Sequence, residues 1–159
     1  MDLPAHRFLE DHGVAHQRLV FPLHTEKHAA NVPRAMGCNE SQMVKTLIFR
    51  TGTEKHALVM LGGDKSAVSG RLKKALGSRD IKLADPASVK QITGYEIGSI
   101  PPFHWQPAGF RSFLDACLMD KGVVGVGAGV WGQEIMITPS DLVEAAEAEA
   151  IDLSGADRS

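Results

Sequence analysis

The sequence predicts a mixed α/β domain, α+β in its layout, and three observations predict it. The first is a hairpin. Ser41–Arg50 is rich in Val, Thr, Ile and Phe, Thr51-Gly52-Thr53-Glu54-Lys55 reads as a turn, and His56–Leu61 as the returning strand. The second is that helices with their own start and stop residues lie between strands. The third is that hairpins and helices are interspersed without the regular alternation of a βαβ array.

The chain has 159 residues, enough for one domain that buries about two thirds of its unfolded surface. We place that domain over residues 1–153 and treat 154–159 as a frayed tail. A hydrophobic share of 43% and a charged share of 23% are those of an ordinary globular protein. The net charge of −2 excludes a generally basic nucleic-acid coat and still permits a local basic patch. No apolar run approaches the ~20 residues of a bilayer span, so no membrane partner is expected. Met1-Asp2-Leu3-Pro4 lacks the basic-then-apolar layout of a secretory signal, which points to the cytoplasm. Cys38 and Cys117 are expected there as reduced thiols.

Taken in order, Leu3–His12 reads as a short helix with Pro4 in its first turn and Gly13 closing it. Gln17–Phe21 is a strand. Thr25–Met36 reads as a helix capped by Thr25 and ended by Gly37, with Pro33 kinking or splitting it. After the hairpin, Asp64–Leu76 is helical, Asp64 capping and Gly77 at the exit. Lys65, Arg71, Lys73 and Lys74 fall on it, with Arg79 and Lys82 beyond. A solvated face and an RNA-backbone contact explain that cluster equally well. Ile81–Leu83 is a short strand, and Asp85-Pro86 opens a helix through Gln91. Thr93–Pro107 carries Gly94, Gly98, Pro101, Pro102 and Pro107 around Tyr95, Phe103, His104 and Trp105, which sets a rigid irregular loop whose aromatics plug the sheet. Phe110–Leu114, Gly122–Gly127 and Gln133–Thr138 read as strands. Thr138-Pro139-Ser140-Asp141 starts a last helix to about Ala150.

Few residues carry chemistry. In a strand, Met43, Lys45, Leu47 and Phe49 share a face, and the lysine among three apolar neighbours needs a partner, a purpose or an escape to water. Gly122–Gly129 breaks the G-x-G-x-x-G spacing and lacks the Lys-Ser/Thr of a phosphate loop. A hairpin whose small residues admit another backbone fits it better. His24 and His28 are four apart without the glutamate of H-E-x-x-H, and no C-x-x-C or G-x-S-x-G is present, so neither a metal nor a cofactor is expected.

The ordered set Val44-Lys45-Thr46-Leu47, Ala84-Asp85-Pro86, Thr93-Gly94-Tyr95 with Gly98 and Pro101, Gly132-Gln133-Glu134-Ile135 and Ser140-Asp141-Leu142 resembles the YbaK/ProX-type proteins. These are aminoacyl-tRNA deacylases related to the editing domain of bacterial prolyl-tRNA synthetases, and the similarity runs from about Thr25 to Val143. The resemblance implies a mixed, largely antiparallel sheet with surrounding helices. It implies hydrolysis of the ester joining a wrong amino acid to the 3′ adenosine of tRNA, with mischarged tRNA as partner and a synthetase as a second one. Lys45 aligns with the invariant lysine and would hold the ester carbonyl or terminal phosphate in a small dry pocket. Gly98 begins the substrate loop, whose amides would face the developing oxyanion. Thr25, Tyr95, Ser99, Ile100, Pro101, Gly127 and Glu134 fall at substrate-binding positions. The family loop reads Gly-Gly-Ile/Val-Ser-Pro where this chain has Gly98-Ser99-Ile100-Pro101-Pro102, and His104-Trp105 adds bulk beside it, which opens the choice of amino acid. Two other functions stay open: a non-catalytic module of the same fold that binds an aminoacyl ester, a nucleotide or a synthetase, and a hydrolase of small acyl esters.

Overall fold

A computed structural model describes residues 2–21, 40–52 and 55–154. The expected helix over Thr25–Met36, with Thr25, His24, His28 and Cys38, lies outside those residues. The described chain folds as α1 (Pro4–Asp11), β1 (Gln17–Val20), β2 (Val44–Thr51), β3 (His56–Gly62), α2 (Ser69–Leu76), β4 (Ile81–Leu83), α3 (Pro86–Thr93), β5 (Arg111–Asp115), β6 (Val124–Gly127), β7 (Gln133–Ile137), α4 (Pro139–Ala146) and β8 (Ala148–Ile151). Single 3-10 turns precede β2 at Glu40–Gln42 and follow β5 at Ala116–Asp120. No helix among the described residues is long and apolar enough to cross a membrane.

The sheet is mixed, as expected, and it comes in two parts. β1-β7-β6 is antiparallel throughout. The second part, in the order β4-β2-β3-β5-β8, pairs β2 with β3 and β4 antiparallel, and β3 with β5 and β5 with β8 parallel. An isolated parallel bridge, Met43 to Gly125, joins the two parts.

Alternation along β2 and β3 sorts their residues between two cores. Ile48, Leu58 and Met60 meet Val126, Ile135, Ile137, Phe103 and Leu142 in the larger one. Leu47 and Phe49, with Ala57, Val59 and Leu61 opposite, meet Leu72 and Leu76 of α2 and Phe113 of β5 in the smaller one. Each fully buried Leu, Ile or Phe adds ~1.5–3 kcal/mol of transfer free energy, so this two-sided burial fixes the register.

Three expectations need correction. The strand expected from Ser41 begins at Val44, because Glu40–Gln42 is wound into a turn closed by the Met43 amide on the Glu40 carbonyl (3.1 Å). The helix expected from Asp64 begins at Ser69. Residues 63–64 turn back, with the Gly63 amide on the Met43 carbonyl (2.7 Å), and the Val68 amide is taken by the Leu153 carbonyl (2.7 Å). The last helix stops at Ala146, where Glu147 turns left-handed (φ +50°), and Ala148–Ile151 becomes a strand on β5. Ser154, the last described residue, is tied to Asp115. Asp115, fully buried, accepts from the Leu153 amide (3.0 Å), the Ser154 amide (3.4 Å) and Cys117 Sγ (3.1 Å).

Candidate active site

β6 and β7 bring two of the expected site residues, Gly127 and Glu134, side by side, and the Met43–Gly125 bridge sets the start of β2 against β6. Gly125 pairs with Met136, and a Cβ on Gly125 would stand 2.5 Å from Met43 Cε and 3.0 Å from Met136 Sδ. Met43, Gly125 and Met136 therefore share a face. Strand alternation carries that face two residues along each strand, to Lys45, Gly127 and Glu134. Gly127 is the cross-strand partner of Glu134, and Lys45 lies two residues beyond the bridged Met43 on β2.

The loop after α3 is laid over this row. α3 is capped by Asp85, which accepts from the Ser88 amide at 2.7 Å, and ended by Gly94 in the left-handed region. Glu96–Ser99 then forms a β-turn closed by the Ser99 amide on the Glu96 carbonyl (3.1 Å), with Gly98 (φ +93°) in its third position, where a type II turn requires a positive φ. The turn delivers Ser99 and Ile100, both buried, against β6. A Cβ on Gly127 would sit 2.9 Å from the Ser99 carbonyl carbon and 3.1 Å from the Ile100 carbonyl oxygen. The small residues of β6 thus serve the close backbone approach that the sequence suggested. Pro101 continues buried beneath the loop.

The Ser99 amide is consumed within its own turn. Among the described residues, the Gly98 and Ile100 amides carry no hydrogen bond, so they are the loop's available donors.

Glu134 is the buried charge of the site, 9% exposed. No hydrogen bond reaches its carboxyl among the described residues, and burial pushes its pKa from 4.5 up to about 8. At neutral pH it is mostly the protonated acid, which both donates and accepts. Lys45 sits in the open. It is half-buried, across from Leu61, and lines a groove of about 420 Å³ with Leu47, Lys73, Arg79 and Lys82. That setting differs from the small dry pocket expected for its ammonium. No ion pair joins it to Glu134.

Tyr95 lies beside the row, its ring against Gly129, where a Cβ would come within 2.8 Å of Cε1. Its hydroxyl and His104 Nε2 are 2.6 Å apart. Trp131, which the sequence reading passed over, packs edge-on to Phe21 (centroids 4.8 Å apart) and 4.0 Å from where a Gly98 Cβ would be. Its signal was an aromatic two residues beyond the glycine run that ends at Gly129. Among the described residues no cluster of His, Cys, Asp and Glu could hold a metal ion.

The described site is thus an α+β sheet face that carries a turn with two unbonded amides beside a buried carboxyl, Glu134. The family follows from comparison. The aminoacyl-tRNA editing domain matches residues 25–145, most of the chain, and the chain belongs to that family. It is 27% identical over 155 residues to the multifunctional Ser/Thr-tRNA deacylase ProXp-y of Escherichia coli K12, covering 87% of this chain and 92% of that protein. It is 30% identical over 131 residues to the proline--tRNA ligase of Xanthomonas campestris pv. campestris 8004, covering 77% of this chain and 23% of the much longer ligase. Its fold superposes on the crystal structure of hypothetical protein APE2540 with a TM-score of 0.84 at 27% identity, over 94% of this chain and 97% of that one.

Proposed function

We propose that this chain is an aminoacyl-tRNA deacylase that hydrolyses mischarged tRNA in trans, without a metal. The observation that carries the reading is the close seat of the Ser99–Ile100 backbone on Gly127, the cross-strand partner of buried Glu134, with the Gly98 and Ile100 amides free of other hydrogen bonds. Family membership supports an aminoacyl ester as the substrate class. The full-length match to a free-standing deacylase supports action in trans. The partial match to a ligase supports a synthetase as a source of tRNA or as a partner.

In this reading the aminoacyl-adenosine end enters between the loop and β6, near Tyr95, Ser99, Ile100 and Pro101. Lys45 holds the ester carbonyl or the terminal phosphate. Water attacks the carbonyl carbon, directly or with help from the adjacent ribose hydroxyl. The Gly98 and Ile100 amides take the developing oxyanion, a contribution of roughly 3 kcal/mol per well-placed donor. The C–O bond to the ribose then breaks, the 3′ oxygen leaves with a proton, and the amino acid departs as its carboxylate. Glu134, protonated at neutral pH, donates to or accepts from the polar part of the aminoacyl group.

The test is a panel of aminoacyl-tRNAs charged with serine, threonine, alanine, cysteine or proline, incubated with wild type and Lys45→Ala, with and without EDTA. Deacylation by wild type of at least one species, unchanged by EDTA and lost in a folded Lys45→Ala, supports the reading. No turnover across the panel sinks it and favours the binding-module alternative. Turnover that uncharged tRNA cannot inhibit points instead to small acyl esters.

A further inference from the structure

The loop over the site is held by three consecutive side chains. His104 reaches Tyr95 Oη at 2.6 Å, Trp105 Nε1 donates to the Pro101 carbonyl at 2.5 Å, and Gln106 Nε2 donates to the Pro102 carbonyl at 2.7 Å. Phe103, just before them, is fully buried and stacked on Phe8 of α1 (5.6 Å), so the clasp has a fixed root. To send residue 103 into the core and residue 104 back toward Tyr95, the backbone turns left-handed at His104 (φ +77°). That region disfavours any side chain beyond glycine, and asparagine tolerates it best among the rest. A bulky residue kept there at a conformational cost marks a task that glycine could not perform. The far end of the clasp is the site itself, since the Tyr95 ring rests on the β6–β7 connection at Gly129.

We infer that His104 is a positioning residue: through its bond to Tyr95 it locks the Gly98–Pro102 loop so that the Gly98 and Ile100 amides stand at the height the reacting carbonyl needs. This rests on the deacylase reading for the reaction, though not for the lock. The lock joins loop and sheet with no contact from His104 to substrate, so its loss falls on the transition state rather than on ground-state binding.

Two variants open the lock from opposite ends. His104→Gly relieves the left-handed strain and removes the ring; Tyr95→Phe keeps the backbone and the ring stack and removes the hydroxyl. Both are expected to keep the wild-type Tm within a few degrees. In both, amide exchange across residues 96–102 should quicken at least tenfold and kcat for the best substrate of the panel should drop at least tenfold, with KM little changed in His104→Gly. Their double variant is expected to be no worse than either single, and His104→Asn should recover part of the loss. Two outcomes overturn the lock: wild-type exchange in both single variants, or multiplicative losses in the double variant. Should wild type deacylate nothing, the deacylase reading falls, while the exchange measurement still decides the lock.

Discussion

Gly127 and Ser99 stand so close that a Cβ on the glycine would come within 2.9 Å of the Ser99 carbonyl carbon. The contact is backbone to backbone, so no side chain can swing aside to relieve it. It couples the position of the substrate loop to the smallest residue type at one point of β6.

Gly127→Ala is therefore expected to push the loop away from the sheet, destabilising the fold by about 1–3 kcal/mol through overpacking. Deacylation should fall at least tenfold as the Gly98 and Ile100 amides are displaced. Gly122→Ala is the control, since nothing lies within 4 Å of a Cβ there. Urea unfolding and single-turnover deacylation of the two variants check this; a fully active Gly127→Ala would break the link between β6 and the loop.

Glu134 predicts an alkaline loss of stability. Its folded pKa is raised, from 4.5 to about 8, so the native state holds its proton where the unfolded chain has released it. The contribution is fully present below the ordinary glutamate range and is lost as pH rises through that range toward the folded value. By pH 9 the loss should be on the order of 5 kcal/mol relative to pH 4. Glu134→Gln, a permanent stand-in for the neutral acid, should flatten the dependence between pH 6 and 9. Chemical denaturation of both proteins across that range is the measurement.

Asp115 predicts the opposite limb. Burial works to raise its carboxyl pKa, and the hydrogen bonds from Ser154, the Leu153 amide and Cys117 outweigh burial and hold it below 3.8. Its contribution is present above the ordinary aspartate range and disappears as pH falls through the folded value. Asp115→Ala leaves the Leu153 amide buried and unpaired and should cost about 3 kcal/mol. Hydrogen exchange should quicken over residues 148–154 and leave β6 and β7 unchanged.

His6 predicts a milder acid sensitivity in α1. Burial, followed by the charges of Arg18 and His16, lowers its pKa from 6.5, and its Nδ1 accepts the Leu3 amide at 3.1 Å. Stability is complete above pH 6.5 and falls as the unfolded chain takes up a proton that the folded one resists. Substituting asparagine, whose Oδ1 can receive the same amide, should remove that slope between pH 7 and 5 in thermal melts.

How much of this was legible in sequence depends on the range of the interaction. The Lys45 hairpin, the Asp85 and Thr138 caps and the irregular loop after Thr93 all rest on contacts within a few residues, and the structure has them where the residues placed them. β8 was illegible because Ala145–Ala150 has helical propensity and no alternation. Pairing with β5, some 36 residues away, overrides that propensity. The late start of α2 has a similar origin, a hydrogen bond from Val68 to Leu153. Alternation placed Lys45 on the row of Met43, yet only the Met43–Gly125 bridge sets that row against β6, and no local pattern announces a bridge across 82 residues.

The parallel strand at the end of the described chain also guards a boundary. β8 covers the outer side of β5, and Arg71 holds the following segment through Asp152 at 2.5 Å. A chain cut after Glu147 would bare the backbone of β5, whose inner residues Phe113 and Leu114 are fully buried, as an unpaired apolar edge. Such a chain would keep every residue of the proposed site and self-associate through β5, so the last strand governs whether the protein stays dispersed rather than what it hydrolyses.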